Sequence, residues 1–194
     1  MALKKKITSR AISIRVDKLI GIKKTVHEVS EEIDKLTNSI ELVVTGDIFD
    51  TEFYRLNKDN KKQIKKKDWL FDWQSEIAYP EREVYKLTVK DNADIIQGLI
   101  SLSTEPDHVF IHIVENAKFN RGKDKVYLGV LGNMFAFACK QSVERGFNGF
   151  VAFKAKTNLI EHYSKTLGAS IYRGQRMFID DVRANKLINQ YFKS

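Results

Sequence analysis

An α+β fold, with a mixed and mostly antiparallel central sheet flanked by helices, is what this sequence predicts. Three observations carry the prediction. Three strand-like runs, REVYKLTVKD, DIIQGLISLS and HVFIHIVENA, follow one another closely between residues 82 and 117, and an antiparallel meander is the simplest connection for such short spacings. From Gly132 the apolar residues Met134, Phe135, Ala138, Cys139 and Val143 recur at helical spacing, with Lys140, Gln141 and Glu144 opposite. Strand and helix then alternate, which places helices on a sheet.

Taken in order, residues 17–40 read as helical, in one or two pieces. Leu19, Ile20, Val26, Val29, Ile33, Leu36 and Ile40 recur at threes and fours, and Ser30 before Glu31 to Asp34 is a helix start of the capping type. Residues 1–40 are therefore expected to form an N-terminal helical extension packed on a main domain of residues 41–194. ELVVTGDIFDTEFYRL reads as strand, turn and strand about Gly46-Asp47. The run KKQIKKK, 61–67, reads as a short helix or a mobile loop. DWLFDWQSEI places Trp69, Phe71 and Trp73 at alternate positions, one face of a strand. Breaks at Asn92 and at Pro106 separate the three meander strands. The helix ending near Arg145 has Gly146 where a left-handed cap belongs, with Phe147 able to fold back on the last turn. GFVAFKA is the next strand, TNLIEHYSKTLG a helix at 157–167, RMFIDD the last strand and DVRANKLINQYF a final helix. There is no internal repeat.

Composition narrows the function classes. The 194 residues fit one large domain, or one domain with an extension, and 43% hydrophobic content supports a core. No apolar run approaches the roughly 18 residues that a membrane helix needs, so no membrane partner is expected. MALKKKITSR has no apolar stretch behind its lysines, so no secretory signal is expected. Cys139 is the sole cysteine, which rules out a disulfide within the chain and makes a reducing cytoplasm the expected setting. His27, His108, His112 and His162 are scattered without ligand spacing, so no metal site is expected. The net charge of +8, with lysines at 4–6 and 61–67, suits either a polyanionic partner or a solvated helix face.

The stretch YLGVLGNMFAFACKQSVERGFNGFVAF, 127–153, carries the chemistry. Gly129 and Gly132 permit a sharp turn, and a helix is expected to begin near Asn133. Its first amides have no partner within the helix, and its dipole makes that end electropositive, a seat for phosphate. A plain strand-to-helix turn fits the same spacing, as does an Asn133 that caps its own helix. The three-glycine dinucleotide fingerprint and the Gly-Lys-Ser/Thr phosphate loop fit less well.

GVLGNMFAFACKQSVERGFNGFVAF, followed by LIEHYSKTLGA, resembles the core of the GNAT superfamily of acyl-CoA-dependent N-acyltransferases. That family's signature is R/Q-x-x-G-x-G/A leading into a helix, then a strand, then a helix ending in a Tyr and a Leu-Gly stop. The resemblance is clearest over 109–180. With Gly132 as the final glycine, the Arg/Gln position falls on Tyr127 and the middle glycine on Val130, and Gly129 supplies a glycine one place early. The family's Asn before the last helix falls at Lys156, beside Asn158, and HYSKTLGA has one residue more than the common spacing.

The resemblance implies an N-acetyltransferase that moves an acetyl group from acetyl-CoA to an amine, a small molecule or a protein, by direct attack. It implies a pyrophosphate seated on amides of Leu131, Gly132, Asn133, Met134 and Phe135, after a turn shaped by Gly129 and Val130, with Asn158 nearby. The pantetheine arm would lie along the edge of IHIVENA where that strand splays from the next. Backbone N–H groups near Val114 would face the thioester oxygen. Tyr163 matches the general acid, and Glu115 lies where some members place a general base. Each has a plainer reading, a core tyrosine and an exposed strand-end carboxylate. Asn120, Arg121 and Lys123 lie in a loop able to approach phosphates, or in an ordinary exposed loop. Two rivals stay open. One is a non-catalytic interaction module of the same fold, binding a partner or forming a homodimer through the N-terminal extension. The other is nucleic-acid binding through the lysine clusters, which would weaken steeply with salt.

Overall fold

The computed structural model describes residues 27–34, 36 and 39–192. Its elements are β1 (Ile40–Leu42), β2 (Ile48–Phe49), β3 (Thr51–Leu56), α1 (Trp73–Ala78), β4 (Glu83–Val89), β5 (Asn92–Thr104), β6 (Val109–Asn116), β7 (Tyr127–Leu128), α2 (Val130–Glu144), β8 (Val151–Lys154), α3 (Ile160–Leu167), β9 (Ser170–Arg173), β10 (Arg176–Ile179) and α4 (Asp181–Tyr191). Seven strands form the main sheet in the order β3-β4-β5-β6-β8-β10-β9, and β2-β1-β7 form a small one. All main-sheet pairs are antiparallel except β6 with β8. The α+β class and the mixed, mostly antiparallel sheet are as the sequence predicts.

Alternation along the strands divides the interior between two faces. Leu87, Ile100, Ile111 and Val114 pack with α2, α3 and α4 in the larger core. Leu99 and Ile113, one residue away, join Val84, Ile64, Trp73 and Ile77 in a smaller core under α1. Cys139 lies within the larger core, where burial pushes its thiol well up. The predicted end of α2 is present: Gly146 takes φ +83°, its N–H bonds the Val143 carbonyl and the Phe147 N–H bonds that of Ser142, the paired pattern of a glycine-terminated helix.

Two elements differ from the sequence reading. Residues 27–34, within the stretch read as helical, carry no helix, and Val29 forms a parallel bridge with Ala155. Their main-chain groups bond to β8 and α3 instead of to one another, so long-range partners override the local period. Residues 1–26, 35 and 37–38 of the same stretch lie outside the described residues. Val29, Ile33 and Ile40 are buried in the larger core. The second difference is DWLFDWQSEI, which is a loop and then helix α1. Asp72 accepts from the Ser75 N–H and caps that helix, and Trp73 and Ile77 share its buried face one turn apart. The lysine run makes two 3-10 turns, Lys61–Gln63 and Lys66–Asp68, about a buried Ile64. Strand β9, absent from the sequence reading, forms a hairpin with β10.

A bulge in β6 shapes the centre of the molecule. Ser101 pairs with Ile113 and Leu102 with Ile111, so His112 is an extra residue. The parallel pairing of β6 with β8 runs from Val109↔Val151 to Ile111↔Phe153 and stops there. A bulge bends the strand that holds it, and beyond it the two strands part.

Candidate functional site

The gap between the ends of β6 and β8 is the candidate site, and residues 27–34 lie in it. On the β8 side, the Val29 N–H donates to the Lys154 carbonyl at 2.7 Å and the Lys156 N–H to the Val29 carbonyl at 2.9 Å. On the β6 side, the Asn116 N–H donates to Glu31 Oε2 at 3.0 Å. Val114, two residues back, has its amide on the same edge, and its side chain is buried in the larger core. From α3, the Tyr163 hydroxyl donates to the Glu31 carbonyl, and His162 Nε2 accepts from the Ile33 N–H at 2.8 Å.

Tyr163 packs edge-on against Phe153 and near Phe135 and is fully buried, its hydroxyl against the Glu31 carbonyl. Burial, and then the charges of Glu31 and Glu32, push its phenol well above the usual range. Its ring lies in the core and its hydroxyl is satisfied, as in the plainer reading, and that hydroxyl faces the segment in the gap. His162 is held by the Ile33 amide, and His112 lies 2.8 Å from Ser103 Oγ on the other face of the sheet.

Glu115 is fully buried on the face opposite Val114. Its Oε1 accepts from the Leu70 N–H at 2.6 Å and from Arg121 at 2.7 Å. Its Oε2 accepts from Trp73 Nε1 at 2.6 Å and from the Phe71 N–H at 3.2 Å. Each oxygen thus carries two bonds, and the carboxylate has no free lone pair with which to take a proton. Glu115 joins the Trp69–Trp73 segment to the sheet; the exposed strand-end carboxylate of the plainer reading is not what the structure has. Arg121 turns inward, with Nε at 2.7 Å from the Asn116 carbonyl and 3.9 Å from Glu31. Asn120 is also buried, bridging the Gln97 carbonyl and side chain to the Tyr127 N–H.

At the glycine turn the helix starts earlier than the sequence reading places it. Gly129, at φ +79°, is the residue before α2, and the helix runs from Val130. A glycine alone takes that φ without strain, so the chain enters the helix three residues ahead of Asn133. The Asn133 N–H then bonds the Gly129 carbonyl at 3.0 Å, and those of Met134 and Phe135 lie inside the helix. The amides without helical partners are those of Val130, Leu131 and Gly132. All six side chains or glycines from Val130 to Phe135 are buried. A Cβ on Gly132 would stand 2.1 Å from the Tyr191 hydroxyl and 3.0 Å from Leu36 Cδ2, so this glycine permits close packing by α4 and Leu36. Asn133 does not cap the helix; its Nδ2 donates to Thr51 Oγ1 at 2.8 Å.

One anion does sit at the turn, and it belongs to the chain. Asp34 Oδ1 accepts from the Gly129 N–H at 3.2 Å, and its Oδ2 lies 3.0 Å from Lys125 Nζ. Pairing of β1 with β7 holds Tyr127–Leu128, and so the turn, in place. Asn158 is exposed in the 3-10 turn Thr157–Leu159 ahead of α3. The fold thus gathers Val114, Tyr163 and the segment 27–34 at the gap, sets Gly129 at the segment's end, and turns Glu115 away to the other face.

Trp73, Glu31, Asp34 and Lys125 are residues of this region to which the sequence reading gave no part in a site, and Arg121, read as a loop residue able to approach phosphates or simply exposed, is turned inward onto Glu115. Asp72 with apolar residues one and five places on was the available sign for Trp73. No local sign marks the others, since their partners are distant in sequence. Among the described residues, no group of three or more His, Cys, Asp or Glu is placed to hold a metal ion, and no helix is long and apolar enough to cross a membrane. Compared with models of known protein families and with curated proteins, the chain matches none.

Proposed function

We propose that the chain is a GNAT-like N-acetyltransferase, transferring an acetyl group from acetyl-CoA to an amine without a covalent enzyme intermediate. One observation carries the reading: β6 and β8 are parallel neighbours that part after Ile111 and Phe153, and the hydroxyl of Tyr163 is directed into the space between them. An extended arm such as pantetheine suits a slot with main-chain donors and acceptors on both edges, and residues 27–34 demonstrate the fit of an extended chain there.

In this reading the Asn116 edge and Lys154–Lys156 hold the arm, and Gly129 with Lys125 and the Val130–Gly132 amides faces its phosphates. The amine nitrogen attacks the thioester carbonyl carbon, the C–S bond breaks, and the leaving thiolate takes the phenolic proton of Tyr163. The proton lost by the amine restores the phenol through solvent. Glu115 acts as a positioning residue for Trp73 and Arg121, since its oxygens are already doubly bonded. The test is release of free CoA from acetyl-CoA in the presence of an amine panel, alongside calorimetric titration with acetyl-CoA. Heat of binding and release of CoA are expected; neither, at millimolar acetyl-CoA, would remove the enzymatic reading.

A second reading has its own observation. The gap is filled by the chain, and Tyr191 and Leu36 cover Gly132, which suits a non-catalytic module of the same architecture. No rise in Tm at millimolar acetyl-CoA would favour that rival, because a ligand bound only by the native state stabilises it, and release of free CoA with an amine would exclude it. The cytoplasmic setting and nucleic-acid binding through the lysines remain proposals, the latter tested by salt-dependent retention on a polyanion column.

A further inference from the structure

The geometry points to residues Glu28–Asp34 as an intramolecular strap that competes with the acyl donor for the gap between β6 and β8. The inference rests on the acyltransferase reading and adds its regulation.

Each contact of the segment occupies a position that the donor would need. Val29 pairs with the main chain of Lys154 and Lys156, as an added strand does. The Glu31 carbonyl accepts from Tyr163, taking up the proton donor of the proposed reaction. Asp34 brings a carboxylate to the Gly129 N–H and Lys125, where the proposal seats phosphate. Chain and donor thus cannot use these groups together.

The segment also has features of a removable occupant. Glu31 is largely buried, yet its Oε1 is without a hydrogen-bond partner, and so is Asn116 Oδ1 beside it. A buried carboxylate with an unsatisfied oxygen costs free energy, so the docked segment is less well held than its surroundings. The opposing anchors are the apolar side chains of Val29 and Ile33, both buried in the larger core. Burial therefore retains the strap, while its acidic groups make it exchangeable for a polyanionic ligand.

The test uses the full chain. Ser30 is exposed and Cys139, the sole native cysteine, is buried, so Ser30→Cys accepts a single nitroxide label. The label is expected to be immobile alone and to become mobile as acetyl-CoA is added. A Val29→Ala/Ile33→Ala variant, which trims the apolar anchors, is expected to show a mobile label without ligand and to bind acetyl-CoA about tenfold tighter. Acetyl-CoA that binds with the label unmoved, and no tighter to the variant, overturns the strap and leaves the acyltransferase reading standing. No binding to either chain, with the label mobile in the variant, overturns the acyltransferase reading and the competition with it. Hydrogen exchange at the Val29 amide of the unsubstituted chain provides a second measurement: exchange is expected to quicken with acetyl-CoA, and protection unchanged by bound acetyl-CoA overturns the strap.

Discussion

Two carboxylates lie close to the β6 edge, and the fold treats them in opposite ways. Glu115 belongs to the wall of the site, with four donors from Leu70, Phe71, Trp73 and Arg121. Glu31 belongs to the segment that fills the gap, with one amide donor to Oε2, a distant Arg121 beside Oε1 and no hydrogen bond to that Oε1. Desolvation by burial pushes its carboxyl up to about 7. A satisfied buried carboxylate ties elements together; a half-satisfied one is held only by its neighbours' packing. The wall is therefore the better satisfied of the two, and the filling is the part proposed to exchange.

The largest effect expected from breaking this contrast is Glu115→Ala. It strands the Trp73 indole N–H, two main-chain amides and a guanidinium, and is expected to cost about 3–4 kcal/mol, read as a lower midpoint in urea. Glu115→Gln keeps an acceptor oxygen and should lose less. Equal, small losses from both would mean that the wall does not depend on this carboxylate.

Tyr163→Phe is next. The rate of CoA release with an amine acceptor is expected to fall about 10²-fold, while stability falls by about 1 kcal/mol through the bond to the Glu31 carbonyl. A fall in stability with an unchanged rate would make Tyr163 a core residue alone.

The pH dependence sharpens the comparison further. Glu31 is faced by the Asn116 N–H and Arg121, which lower its pKa, and by Glu115, which raises it; desolvation outweighs them all. Tyr163 meets its carbonyl rather than its carboxylate. Because the docked value is raised above an ordinary 4.5 or so, Glu31's contribution to docking is fully present below about pH 4.5. It is lost as pH rises through about 7. The Ser30→Cys label should loosen as pH rises from 4.5 through about 7, to an extent reduced by Glu31→Gln. A label that tightens over this range would contradict the sign.

The smallest effect is expected of Lys125→Ala. Its ion pair with Asp34 is partly exposed, so it contributes less than about 1 kcal/mol and is weakened by salt. The measurement is label mobility at low and high salt; a large, salt-independent release would show that more than this pair is involved.

The stretches most legible in sequence were those whose partners are local or periodic. The meander β4–β6, the helices α2, α3 and α4, and the glycine stop at Gly146 follow from alternation, helical spacing and turn chemistry. Tyr163 was singled out through the family resemblance, and the buried face of α3 carries it inward. Glu115's surroundings were not legible, since three of its donors come from a stretch read as a strand and the fourth, Arg121, from a loop read as facing outward. The start of α2 was missed by three residues because the turn residue is Gly129, while the pattern drew attention to Asn133.

Sequence alone determined the class of fold and the periodic elements, because these depend on which side chains recur on one face. Tertiary structure alone decided the conformation of residues 27–34 and the use of Glu31, Asp34 and Glu115. A segment with apolar residues four apart satisfies a helix locally, and here it gives up those bonds for partners such as Asn116, 85 residues on from Glu31. A choice between local and distant hydrogen bonds is settled only when the rest of the sheet is present to offer them.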